Sequence, residues 1–112
     1  MIRTVDLVVA GSGSAALAAT AEAIQRGQQV LVVLRTDDPL VERGLRRRLR
    51  TAARAHGSRV TLMTNAEVVC VDGVEGVEAV VIRDVRTGRL RAVNASAFLS
   101  CDGTPASVGN RR

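Results

Sequence analysis

Residues 11–16 read Gly11-Ser12-Gly13-Ser14-Ala15-Ala16, two glycines and four small residues placed straight after an apolar, valine-rich run over residues 5–10. Chemistry that needs bare backbone is the first reading of this stretch. Gly11 permits a tight turn, and Gly13 has no Cβ, so a pyrophosphate can approach the main chain. Ala16 is small enough to keep the following helix close to the strand. A helix opening at Ser14 directs its free N–H groups and the positive end of its dipole at that phosphate. A second informative position lies at the end of the next apolar run. There a dinucleotide site that holds a free ribose 2′-hydroxyl carries Asp or Glu about 20 residues on. Here Leu34 stands in that place and Arg35 follows. A guanidinium forks onto a 2′-phosphate where a carboxylate would repel it. Arg35 therefore favours NADP(H) over NAD(H) or FAD, with Thr36 offering a hydroxyl and Arg43 within reach from the next helix. Asp102 and Gly103, at the end of the last apolar run, complete the candidate cofactor-binding set, with Asp102 toward a ribose.

These residues need elements to hold them. Residues 5–10 read as a buried strand. A helix runs from the Ser14 cap to Arg26, stopped by Gly27, and residues 29–34 form a second buried strand. Asp37-Asp38-Pro39 supplies an acidic cap with Pro at the first helical position. Val41, Leu45, Leu49 and Ala53 then recur every four residues, with Arg43, Arg46, Arg47, Arg50 and Arg54 around the rest of the circumference. That helix is amphipathic and ends at His56-Gly57. Short strands follow over residues 60–63, 66–71 and 77–85, with a turn at residues 72–76 and another at Thr87-Gly88. Residues 90–92 pair back and residues 97–101 make a last strand. The order β-α-β-α-β followed by strands predicts an α/β fold. It is a small Rossmann-like parallel sheet in three layers, with an antiparallel β-meander. Residues 1–105 are expected as one dinucleotide-binding domain and residues 106–112 as a flexible tail.

The chain has 112 residues, 46% of them hydrophobic, which suits one domain with a real core. Its net charge is +5 and all sixteen basic residues are arginine, six of them between Arg43 and Arg54. That balance suits a phosphate-bearing partner. Nucleic acid is the weakest such partner, because Phe98 is the only aromatic residue and strand binding leans on stacking platforms. Asp6, Glu22 and the glycines interrupt the N-terminal apolar stretch, so neither a signal peptide nor a membrane span is expected, and the chain reads as cytoplasmic. Cys70 and Cys101 form no C-x-x-C; both read as small buried hydrophobes. No metal site is expected. His56 reads as a polar helix terminus, and Glu67, Asp72, Glu75 and Glu78 as solvated strand edges and turns. No catalytic residue stands out.

The stretches G-S-G-S-A-A, V-L-V-V-L-R, V-T-L-M-T-N, G-V-E-A-V-V-I-R-D and A-F-L-S-C-D-G-T-P resemble the NADPH-binding domain of thioredoxin reductase-like flavoproteins, within the pyridine nucleotide-disulfide oxidoreductases. The resemblance covers residues 5–105. It implies a βαβαβ core with a meander inserted before the last strand, and Arg35 as the first phosphate-binding arginine. The chain departs from that pattern in several places. Thr36 replaces a second basic residue, Asp102 stands where a glycine is usual, and no redox C-x-x-C precedes the domain. The flavin domain is absent, so the chain is expected to be part of an NAD(P)H-dependent flavin oxidoreductase, working with a flavin-bearing partner and incomplete alone. The opening also resembles an FAD-binding turn, which makes FAD the second choice of ligand. A non-catalytic relic or interaction module with the same fold is the alternative function.

Overall fold

The computed structural model describes residues 3–11, 14–35, 39–73, 76–100 and 107–108. The chain runs β1 (Arg3–Ala10), α1 (Ser14–Gln25), β2 (Gln29–Val33), α2 (Pro39–His56), β3 (Arg59–Met63), β4 (Ala66–Asp72), β5 (Ala79–Asp84), β6 (Leu90–Ser100) and β7 (Ser107–Val108). One seven-stranded sheet has the order β3-β2-β1-β6-β5-β4-β7. Strands β3, β2, β1 and β6 run parallel to one another. Strands β6, β5 and β4 run antiparallel to one another. The fold is the α/β Rossmann-like sheet with a meander that the sequence predicts.

Both helices lie on one face. Ala16, Ala23 and Ile24 of α1 and Leu45 and Leu49 of α2 share a core with Val9, Val30, Val32 and Leu34. The meander covers the opposite face: Ala66, Val80, Ile82, Val93 and Ala95 pack with Val5, Val8, Leu31 and Val33. The three layers are thus helices, parallel sheet and meander. The four-residue spacing of α2 does what it predicts, since Leu45, Leu49 and Ala53 are all buried while the arginines stay out. α1 ends where Gly27 adopts a φ of 74° and its N–H reaches the Ile24 carbonyl, as the Gln28 N–H does for Ala23. Only a residue without a Cβ takes that conformation cheaply. Thr20, buried within α1, satisfies its hydroxyl by donating to the Ala16 carbonyl at 2.8 Å.

Three expectations need correction. Residues 90–92 and 97–101 are not separate strands at their core: Leu90–Ser100 is one eleven-residue strand. Its first half pairs with β5 and its second half with β1, so the meander's third strand and the last parallel strand are the same element. Cys70 is half-buried rather than buried, next to a register shift between Val68 and Cys70 that turns the strand. Glu67 is not a solvated edge; its surroundings are given below. Strand β7 falls inside the stretch expected as a tail, paired to β4 through Cys70–Ser107 and Val71–Val108; the rest of residues 101–112, with Cys101 among them, lies outside the described residues.

Candidate functional site

β1 and β2 run parallel, with Ala10 beside Val33, so the β1–α1 turn and the end of β2 lie side by side at the carboxyl edge of the sheet. Gly11 is the first residue past β1. It is buried, its φ is 133°, and its N–H still donates to the Val33 carbonyl at 3.1 Å. The chain therefore leaves the ladder in a conformation reserved for glycine, at the point where the sequence calls for a tight turn. α1 opens three residues later, at Ser14. Ala15 is exposed. Ala16 is 2% exposed and seated against Val9 and Val30, the close helix–strand contact expected of a small residue there. Ser12, Gly13, Thr36, Asp102 and Gly103 lie outside the described residues.

Leu34 explains why no acid ends β2. Its side chain is 1% exposed and belongs to the helix-side core. Its N–H donates to the Met63 carbonyl at 2.8 Å, and its carbonyl accepts the Ala66 N–H at 2.9 Å. A carboxylate at this position would be buried in hydrocarbon. Arg35, the next residue, is exposed at this edge. It is not unpartnered. Its Nε lies 3.5 Å from Glu67 Oε1. Glu67 Oε2 in turn accepts from Arg83 Nε at 2.8 Å and from Arg83 Nη2. The Ala66–Leu34 hydrogen bond brings the start of β4 to the end of β2, and the β4–β5 register sets Glu67 opposite Arg83. Reading the strands one at a time could not find this cluster. The available signal was the polar Glu67 inside an otherwise apolar run.

Arg43, on the second turn of α2, is exposed; among the described residues the ion pairs of Glu67 come from Arg35 and Arg83. His56, the only histidine of the chain, sits at the far end of α2. The following Ser58 hydroxyl donates to the Gln28 carbonyl, just before β2 begins, so this helix end lies at the amino edge of the sheet, away from the turn. Among the described residues no helix is long and apolar enough to cross a membrane.

The family profile for pyridine nucleotide-disulphide oxidoreductases matches residues 6–87. No curated protein matches the chain. Among solved structures, a thioredoxin reductase from Streptococcus pyogenes is similar at 23% identity with a TM-score of 0.66, covering 91% of this chain and 32% of that one. The thioredoxin reductase of Giardia duodenalis gives 19% identity and a TM-score of 0.66, again over 91% and 32%. The myxobacterial chondrochloren halogenase, a FAD-dependent halogenase, gives 15% identity and a TM-score of 0.67 over 95% and 39%. At these identities the shared property is the fold. The chain spans between about a third and two-fifths of the length of these three proteins.

Proposed function

The chain belongs to the pyridine nucleotide-disulphide oxidoreductase family, and we propose that within it the chain is a dinucleotide-binding unit that holds NADP(H) at the β1–α1 turn. The observation that carries this reading is Gly11: a buried glycine at φ 133°, at the junction of a parallel strand and a helix, with Ala16 buried in the first turn of that helix. The pyrophosphate would lie over this turn and the first amides of α1. Arg35, exposed at the end of β2, would take the 2′-phosphate. Leu34, committed to the core, means that β2 itself supplies no acid to hold a free ribose.

Bound NADPH supplies a hydride from its nicotinamide ring. The residues of this chain bind and orient its adenosine half. A flavin on a partner or on a further domain would receive the hydride, as the relatives' greater length and the flavoenzymes among them suggest.

Isothermal titration of the chain with NADPH, NADH and FAD tests the proposal. NADPH should bind tighter than NADH, and Arg35→Ala should erase the difference, a loss of about 10-fold in NADPH affinity. Absence of binding by all three at millimolar concentration would overturn it. A second reading, FAD at the same turn, is favoured by Glu67, which brings a carboxylate to the ribose side of the edge from β4. It predicts that FAD is the tightest of the three ligands.

A further inference from the structure

We infer that Glu67 tunes the choice between phosphorylated and unphosphorylated dinucleotide, as a specificity-determining residue that acts through Arg35. The inference rests on the reading that Arg35 faces the 2′-position of a bound adenosine ribose, and it concerns a residue on β4 rather than the glycine turn.

Glu67 is the fixed member of its cluster. Its side chain is 18% exposed, against 57% for Arg35 and 46% for Arg83. Arg83 grips Glu67 Oε2 through two N–H groups, and the ladder sets the two residues opposite each other. The remaining oxygen, Oε1, points to Arg35 Nε at 3.5 Å. Arg35 therefore approaches an anchored carboxylate, with its terminal amino groups left for a ligand.

This arrangement acts on a ligand in two ways. A 2′-phosphate drawn in by Arg35 must sit near the Glu67 charge, and like charges at such range repel. A ribose 2′-hydroxyl meets the opposite situation, because it can donate to Glu67 while the neighbouring guanidinium accommodates its oxygen. One acid between two arginines leaves the cluster at a formal +1. Removing the acid raises it to +2, facing a dianionic phosphate. Arg83 works against that repulsion by holding part of the carboxylate's charge. Without Arg83, the carboxylate is left to Arg35 and to the ligand alone.

The test measures dissociation constants for NADPH and NADH with the 112-residue chain and its Glu67→Gln, Arg83→Gln and Glu67→Gln/Arg35→Ala variants, at low and at high salt. Circular dichroism checks that each variant is folded. In Glu67→Gln the NADPH affinity should rise about three- to five-fold while NADH stays level or weakens. The gain should shrink at high salt, where charges beyond about 3 Å are screened at 1 M. Arg83→Gln should shift the ratio the other way, and the double variant should lose the gain. A purely structural Glu67 would change both ligands alike. A wild-type chain that binds NADPH, with a ratio unchanged in both single variants, would overturn the role of Glu67 and leave the function standing. No binding of either dinucleotide by any form would overturn both.

Discussion

Asp84 closes β5, and its Oδ1 accepts the Arg86 N–H at 2.8 Å and the Thr87 N–H at 3.0 Å in the turn that follows. The Thr87 and Arg86 amides together hold its carboxyl below the ordinary carboxylate range. A depressed folded-state pKa means stabilisation that is present above the unfolded value and is lost as pH falls through the folded one. The Arg86 and Thr87 amide resonances should therefore titrate at lower pH than an ordinary aspartate would impose. Asp84→Asn should be less resistant to urea than wild type at neutral pH and equal to it at the acid end. Equal resistance at pH 7 would show that the turn does not depend on this carboxylate. Position by position, the sequence disclosed what the backbone demands and less of what side chains meet. Gly11 and Ala16 were legible because each answers to a local constraint, a left-handed-side φ or a tight helix–strand contact. Arg35 was legible as a residue at a strand end. Its partner was not, because Glu67 reaches it only through the return of β4 past the end of β2.

The same contrast holds among the elements. α2 was readable because its apolar positions repeat at helical spacing and its ends carry Pro39 and Gly57; the helix spans Pro39–His56. Leu49, 6% exposed against the sheet, should cost about 2–5 kcal/mol when changed to Ala. Arg50→Ala, one residue on and solvent-exposed, should stay within about 0.5 kcal/mol. Urea midpoints at constant slope give both values, and similar losses for the two would mean the helix is not seated by this face. β6 was harder to read. Asn94-Ala95-Ser96-Ala97 has small and polar residues of low strand preference, which suggested a break between two short strands. What keeps the strand continuous is outside it. β1 pairs with it from Val93 to Ser100 and β5 from Leu90 to Asn94, so the two ladders overlap at Val93 and Asn94. Tertiary pairing overrides the local preference, and a reading limited to neighbours in sequence had no access to it.

At the scale of the whole molecule, β2 decides whether the chain behaves as one unit. Val30, Val32 and Leu34 serve the core under the helices, while Leu31 and Val33 serve the core under the meander. A strand buried on both faces cannot leave one layer without exposing the other, so the two cores should unfold together. Ile82 tests this from the far side. It is 1% exposed and belongs to the meander core rather than to the cluster under the helices. Ile82→Ala should lower global stability by about 2–5 kcal/mol. The sharper outcome is spatial. Amide protection at Ala23 and Ile24 in α1 should fall by the same factor as at Val80 and Val81 in β5, because opening either region requires β2 to part from both. Protection that falls in β5 while α1 keeps its original value would mean the meander opens alone. The Glu67–Arg35 contact would then come and go with it, since β4 is what carries Glu67 to the end of β2.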